Sequence, residues 1–224
     1  MSSEQEVKIA AGHDEVSGLL TAPSNARACY ILAHGAGVGM RHQFMGAVAR
    51  GLDERRIATL RYQFPYMEQG RKRPDSPKVA QAAVRAAAEK AGELLPGLPL
   101  VAGGKSYGAR MTSEAQAETP LPGVRGLVFL GYPLHPPGQA SDKRAEHLSI
   151  VQIPMLFLQG TRDEFADLDY LKPLVERLGS CATLTLFDDA DHSFHVPAKS
   201  GRNDIEVMVE LLDILAAWVK QAIR

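Results

Sequence analysis

The sequence contains little cysteine and no long apolar run. Its two cysteines are Cys29, near the start of an early strand-like segment, and Cys181, just before the last such segment, so we predict two unpaired thiols. No stretch approaches the roughly 18 apolar residues that a membrane-spanning helix requires. The first residues, MSSEQEVKIAAG, show no basic segment followed by an apolar one. We therefore expect a cytoplasmic protein without a membrane association.

The sequence also lacks an excess of charge of one sign. It has 25 Lys and Arg against 26 Asp and Glu, a net charge of -1, which does not favour a nucleic-acid surface. The seven histidines are scattered, without a His-x-x-x-His or Cys-x-x-Cys pair, so we predict no metal site and no cofactor. A length of 224 residues suits one domain, and we assign residues 1–224 to it.

Strand-like and helix-like segments alternate along the chain. Two strands that a turn at residues 12–15 can join as a hairpin are followed by six apolar runs. The predicted strands are 7–11, 16–21, 28–33, 58–62, 98–102, 126–130, 155–159 and 183–187. The predicted helices are 43–55, 77–95, 109–117, 168–178 and 203–223, the last with Asn203 as its N-cap. This alternation predicts an α/β fold, a three-layer sandwich with an eight-stranded, mostly parallel sheet and helices on both faces.

The segment VAGGKSYGARM, residues 101–111, permits two interpretations. Its Gly-Lys-Ser is similar to the end of the phosphate-binding loop G-x-x-x-x-G-K-[ST], but that alignment puts Pro99 where the first glycine is required. Gly104 to Gly108 instead fits G-x-S-x-G, with a strand before it and a helix after it, as in a nucleophile elbow. The second interpretation makes Ser106 a nucleophile on a tight turn, where the two glycines avoid collisions with neighbouring elements.

A serine nucleophile needs a base and an acid that orients the base. The run IPMLFLQGTRD is a buried strand that leads through a glycine turn to Asp163, and the next strand leads into DDADHSF, which contains His192. Both residues should therefore lie at the carboxyl edge of the sheet, beside Ser106. The competing base is His195, and the competing acids are Glu164, Asp167 and Asp169.

The remaining parts of the site are predicted from loops at the same edge. The segment ILAHGAG puts a glycine-rich turn after a buried strand, so the N–H of Ala36 or Gly37 can form an oxyanion hole with that of Tyr107. A plain glycine turn is the alternative, and we expect His34 to brace the loop. The predicted substrate-binding residues are Tyr66, Arg71, Arg73, Tyr132 and His135. The arginines would attract an anionic group, with a solvated charged loop as the alternative.

Five segments carry a resemblance to a known family: LAHGAGVGMRHQFM, LRYQFPYMEQGRKRPD, GGKSYGARM, LGYPLHPPG and QGTRDEF. The sequence resembles the α/β-hydrolase superfamily and, within it, the small lidless enzymes similar to dienelactone hydrolase. More narrowly, it resembles the branch that includes testis-expressed protein 30 and a subunit of the histone-acetyltransferase NSL complex. The resemblance implies a Ser-Asp-His triad at Ser106, Asp163 and His192. Dienelactone hydrolase itself has cysteine at the position of Ser106, so its substrate does not transfer.

These observations predict a serine hydrolase that cleaves a small ester or thioester through an acyl-enzyme intermediate. Only residues 131–154 lie between the strands at 126–130 and 155–159, too few for a large lid, so we expect an open, shallow pocket for a small-molecule substrate. The alternative is a non-catalytic interaction module that retains the elbow as architecture.

Overall fold

A computed structural model describes residues 2–12 and 14–223. Within these residues eight strands form one sheet, in the order β1-β2-β4-β3-β5-β6-β7-β8. The strands are β1 Glu4–Ala11, β2 Asp14–Thr21, β3 Ala28–Ala33, β4 Ile57–Tyr62, β5 Leu100–Lys105, β6 Val124–Leu130, β7 Met155–Gly160 and β8 Ala182–Phe187. β2 pairs antiparallel with both of its neighbours, whereas β3 to β8 pair in parallel. The predicted eight-stranded, mostly parallel sheet is confirmed.

Helices cover both faces of the sheet. They are α1 Gln43–Glu54, α2 Pro65–Glu68, α3 Pro77–Leu94, α4 Tyr107–Glu118, α5 Leu168–Leu178 and α6 Asp204–Ala222. α1 and α6 pack on one apolar core, and α3, α4 and α5 pack on the other. Strand β3 shows why two cores form: Tyr30 and Leu32 point into the first, and Cys29 and Ile31 point into the second. A strand buried on both faces is continuously apolar, as the sequence of β3 indicated.

The structure shifts one boundary that matters for the site. β5 was predicted at residues 98–102, but it begins at Leu100 and continues to Lys105. Pro99 has no N–H to donate to a sheet ladder, which accounts for the later start. Gly103 and Gly104 extend the strand because they pair with both β3 and β6. The strand therefore ends at Lys105, directly before Ser106.

Other predictions concern the termini and the loops. Asn203 is the N-cap of α6, with its side chain accepting the N–H groups of Ile205 and Glu206 in a capping box. The predicted hairpin forms, with Ala11 opposite Asp14, and His13 of the predicted turn lies outside the described residues. Both cysteines are free thiols, as predicted. The assignment of residues 1–224 to one domain stays a prediction.

No helix in the described part of the chain is long and apolar enough to cross a bilayer. Residues 2–12 and 14–223 also contain no group of three or more His, Cys, Asp or Glu side chains that could hold a metal ion.

Candidate active site

Ser106 lies on the turn between β5 and α4. Its backbone has φ 51° and ψ -113°, a positive φ that a residue with a side chain rarely adopts. The turn is held on two sides, since the Ser106 N–H donates to the carbonyl of Leu130 at 3.2 Å and its carbonyl accepts the N–H of Arg110 at 3.2 Å. A strained backbone that the surrounding structure fixes in this way is typical of a functional position. This is the geometry of a nucleophile elbow.

The two glycines of the G-x-S-x-G pattern permit close packing against β3. A Cβ atom at Gly104 would lie 2.3 Å from the carbonyl oxygen of Ala33, and one at Gly108 would lie 2.6 Å from the same oxygen. Both distances are far below contact distance, so any side chain would push β3 away from the elbow. The prediction that these glycines avoid a collision with a neighbouring element is therefore confirmed, and Ala33 is the residue that they approach.

The three predicted triad residues meet at the carboxyl edge of the sheet. Nε2 of His192 lies 2.8 Å from Oγ of Ser106, and its Nδ1 lies 2.7 Å from Oδ2 of Asp163. Because an ionised carboxylate can only accept, Nδ1 carries the proton of a neutral imidazole. Nε2 is then left with a lone pair that faces the Ser106 hydroxyl. The chain thus brings together a hydroxyl, a base and an acid in the arrangement that serine nucleophiles require.

Asp163 is oriented by groups that the sequence analysis did not identify. Its side chain is fully buried, and Oδ2 also accepts the side-chain N–H of Gln159 at 2.5 Å, while Oδ1 accepts the N–H of Phe165 at 2.9 Å. Gln159 in turn accepts the N–H of Tyr132 at 2.8 Å. Gln159 is the one polar side chain in the β7 segment MLFLQG, and this isolated polarity was the signal that could have identified it.

The competing candidates have other partners. His195 is exposed and pairs with Asp204, with Nδ1 2.9 Å from Oδ2, and this carboxylate raises the pKa of His195. Asp167 caps α5 by accepting the N–H of Asp169 at 2.9 Å. Glu164 is exposed. None of these contacts involves Ser106, so the geometry favours Asp163 and His192 over these rivals.

The glycine-rich turn after β3 is braced from within. His34 is fully buried, and its Nδ1 lies 2.7 Å from the carbonyl of Gly35, while its Nε2 accepts the N–H of Phe64 at 3.1 Å. The first contact requires a proton on Nδ1 and the second requires a lone pair on Nε2, so the ring is neutral. Burial lowers the pKa of His34 to about 4. His34 therefore braces the loop, as predicted.

The two candidate donors of this turn differ in their contacts. The N–H of Gly37 donates to the hydroxyl of Tyr66 at 2.9 Å, so this donor already has a partner. For the N–H groups of Ala36 and Tyr107, no acceptor within hydrogen-bonding distance is found among the described residues. Tyr107 begins α4, where the first N–H groups of a helix lack internal partners.

The predicted substrate-binding residues fall into a buried and an exposed group. Tyr66 and Tyr132 are fully buried, and the Tyr132 hydroxyl donates to the carbonyl of Arg144 at 3.1 Å. His135 is 4% exposed and accepts the N–H of Asp167 at 3.0 Å, and it lines a cleft of about 580 Å³ together with Asp163. These three side chains thus brace loops around the three predicted triad residues. Their predicted contact with substrate stays a prediction.

The predicted basic loop is exposed. Arg71 is 49% exposed and contacts the carboxylate of Asp75 at 2.6 Å, so its charge is partly neutralised. Arg73 is also exposed. The side chain of Asp75 is buried and accepts the backbone N–H of Tyr66 at 2.7 Å, which ties the loop to the residue that contacts Gly37.

A comparison with known families agrees with this geometry. A family model described as an alpha/beta hydrolase domain matches residues 26–220. The chain belongs to this alpha/beta hydrolase family. The match begins just before β3 and ends within α6, so it includes the turn at Ser106 and the three predicted triad positions of this alpha/beta hydrolase. Membership in the family supports a hydrolase activity in general terms.

Solved structures of other proteins share the fold of this alpha/beta hydrolase. Dienelactone hydrolase from Anabaena variabilis is 20% identical with a TM-score of 0.80, and the alignment covers 100% of this chain and 99% of that one. An α/β serine hydrolase without a lid from Xanthomonas campestris is 21% identical with a TM-score of 0.76, covering 97% and 96%. An esterase from Pyrococcus furiosus is 15% identical with a TM-score of 0.77, covering 100% and 94%. At these identities the likeness shows the fold, and it agrees with the predicted absence of a large lid.

Proposed function

We propose that the protein is a serine hydrolase that cleaves small esters or thioesters, with Ser106 as nucleophile, His192 as general base and Asp163 as the acid that orients it. The observation that carries the proposal is the pair of contacts from one imidazole, 2.8 Å to the Ser106 hydroxyl and 2.7 Å to the Asp163 carboxylate. A serine hydroxyl is weakly nucleophilic at neutral pH, and a base within hydrogen-bonding distance is what activates it.

The proposed reaction has two steps. Oγ of Ser106 attacks the carbonyl carbon while Nε2 of His192 takes the hydroxyl proton. The bond to the leaving alcohol or thiol then breaks as His192 returns this proton to it, and the acyl group remains on Ser106. Water then attacks the acyl carbon while His192 accepts one of its protons. The bond between the acyl carbon and Oγ of Ser106 breaks as His192 returns this proton to Oγ, which releases the carboxylic acid and restores both residues. Asp163 stabilises the imidazolium without accepting its proton.

The oxyanion that forms in each step requires preorganised donors. We assign this role to the backbone N–H groups of Tyr107 and Ala36. Tyr107 follows the nucleophile on the first turn of α4, and Ala36 belongs to the turn that His34 braces. Gly37, the other sequence candidate, donates to Tyr66 and is assigned to positioning. Loss of one such donor reduces turnover by roughly 10² to 10³ in serine hydrolases.

A small acyl group is the substrate that the surroundings support. The segment between β6 and β7 is short and contains the 3₁₀ segment Lys143–Ile150, with no separate lid domain in the described residues. The likeness to a lidless serine hydrolase and to an esterase supports ester-type substrates of modest size. Arg73, on the exposed loop, is our candidate for attracting an anionic group. The closer relationship to the testis-expressed protein 30 branch and the cytoplasmic location both stay predictions.

The experiment that tests the proposal is labelling of the purified protein with a fluorophosphonate probe, followed by mass spectrometry of the labelled peptide. We expect one adduct on Ser106 in the wild type. Ser106→Ala should remove the adduct, and His192→Gln should slow its formation by at least about a hundredfold because the base is lost. His195→Gln is the matched control, since His195 pairs with Asp204 on the surface, and it should label like the wild type.

Unlabelled protein should then be tested on matched p-nitrophenyl esters and acyl thioesters of increasing chain length. Turnover of short acyl groups that disappears in Ser106→Ala would support the proposed substrate class. Folded wild-type protein that forms no adduct would contradict the hydrolase and favour the non-catalytic interaction module.

A further inference from the structure

Lys105 links the nucleophile to the base, and the proposed reaction does not use it. It is the last residue of β5, directly before Ser106. Its Nζ donates to the backbone carbonyl of His192 at 2.6 Å and lies 5.7 Å from the centre of the Phe194 ring. One side chain thus joins the strand that carries the nucleophile to the loop that carries the base.

Lys105 is a partly buried cation with two carboxylates near it. Two carboxylates favour its charge, Asp163 after β7 and Asp191 in the loop of His192. Burial opposes these carboxylates and lowers the pKa of Lys105 to about 8, so the side chain still carries its charge at neutral pH. Gly131 leaves the space for this contact, because a Cβ atom there would lie 2.9 Å from Nζ of Lys105 and 3.4 Å from the imidazole of His192.

We propose that Lys105 is a positioning residue that fixes the loop of His192 through its hydrogen bond and opposes protonation of His192 through its charge. This inference rests on the proposed function. Lys105 contacts neither of the reacting atoms, so its effect passes through His192. The charged groups around His192 in the described residues are Asp163, which contacts Nδ1, Lys105, whose Nζ contacts the backbone carbonyl of His192, and Asp191, the preceding residue, whose carboxylate acts on Lys105.

Opposite charges from Asp163 and Lys105 would suit His192 as a general base. Asp163 alone would favour a protonated imidazole, which cannot accept the proton of Ser106. On this proposal the Lys105 cation opposes that protonation, while the hydrogen bond between His192 and Asp163 stays in place. We therefore expect the loss of Lys105 to shift the pH dependence of fluorophosphonate labelling, in addition to slowing the reaction.

The test compares Lys105→Met, Lys105→Gln and Lys105→Arg by the rate of fluorophosphonate labelling between about pH 5 and about pH 9. Lys105→Met removes the charge and the donor. The acidic limb of the profile should therefore shift to higher pH by on the order of one unit, and the plateau labelling rate should fall about tenfold. Lys105→Gln keeps a donor, so the limb should move similarly with a smaller loss of rate. Lys105→Arg keeps the charge, so its limb should stay in place. Lys172→Met, at an exposed position of α5, is the matched control and should match the wild type.

An unmoved acidic limb in folded Lys105→Met and Lys105→Gln would overturn the inference, whatever the loss of rate. If Lys105→Met does not fold, Lys105→Gln decides the question. If the wild type forms no adduct, the proposed function fails, and NMR titration of the His192 ring in the wild type and the variants still tests Lys105. A midpoint that rises in Lys105→Gln supports the inference, and an unchanged midpoint overturns it. The ring signal is assigned by its loss in His192→Gln.

Discussion

The hydroxyl of Tyr66 accepts a hydrogen bond from the backbone N–H of Gly37 at 2.9 Å, and this contact fixes the turn that follows β3. Tyr66 is itself fixed, because its own N–H donates to Asp75 at 2.7 Å and the same carboxylate pairs with Arg71. The loop after β4 thus supports the turn of the proposed oxyanion hole through the contact of Tyr66 with Gly37. The candidate donor at Ala36 immediately precedes this fixed position.

Tyr66→Phe should therefore reduce turnover while leaving the triad intact. The phenyl ring keeps the packing, but the Gly37 N–H loses its acceptor, so the turn gains freedom next to the oxyanion donor. We expect kcat to fall about tenfold and KM to change less than about twofold, together with a loss of stability of about 1 kcal/mol. Steady-state kinetics and urea unfolding measure these effects. Tyr170→Phe, on an exposed part of α5, is the control, and an unchanged kcat in Tyr66→Phe would contradict the assignment.

The comparison of sequence and structure shows where local pattern is informative. Ser106, Asp163 and His192 were predicted to lie together because each follows a buried strand, and the parallel sheet brings the ends of its strands to one edge. Lys105 and Gln159 were missed because their roles depend on partners far along the chain, the carbonyl of His192 and the carboxylate of Asp163.

That Tyr66 and Tyr132 contact substrate stays a prediction, and its only basis in the sequence is their position. Tyr66 and Tyr132 were placed in the pocket because their loops lie at the right edge of the sheet. Sequence position gives the edge, but it does not give the direction of a side chain. In the structure both phenols point inward and contact backbone groups, Gly37 for Tyr66 and the carbonyl of Arg144 for Tyr132.

Gly104→Ala should destabilise the protein severely, since the added methyl group would lie 2.3 Å from the carbonyl oxygen of Ala33 in β3. Backbone on both sides leaves no flexible group to yield, so we expect a loss of more than about 3 kcal/mol or a failure to fold. Gly92→Ala is the matched control in α3, where an added Cβ meets nothing within 4 Å. It should stabilise the helix by roughly 0.5 to 1 kcal/mol. Urea unfolding of both variants measures the difference, and similar midpoints would contradict the packing argument.

Acid should destabilise the protein through His34. Burial lowers its pKa to about 4 in the folded state, from an ordinary value of 6.5, so the unfolded chain binds more protons between these values. Stability therefore falls as the pH falls from 6.5 to 4, by up to about 1.4 kcal/mol per pH unit for one such group. His147, whose pKa burial also lowers to about 4, adds in the same direction.

His34→Gln should remove about half of this slope, because glutamine can still accept from Phe64 but does not titrate. Urea unfolding at several pH values measures the slope. His195→Gln is the control with the opposite sign, since Asp204 raises the pKa of His195 and a raised pKa contributes stability at low pH. A slope in His34→Gln equal to that of the wild type would show that His34 does not titrate in this window.

The backbone strain at Ser106 should appear as a difference in stability between two inactive variants. Ser106→Ala and Ser106→Gly both lose the hydroxyl and its contact with His192, but only glycine adopts φ 51° and ψ -113° without steric cost. We expect Ser106→Gly to be more stable than Ser106→Ala by about 1 kcal/mol or more, with both unlabelled by fluorophosphonate. Thermal unfolding of the two proteins measures the difference. Equal melting temperatures would mean that the elbow stores no strain, whereas the expected order would show that the position sacrifices stability to present its side chain to His192.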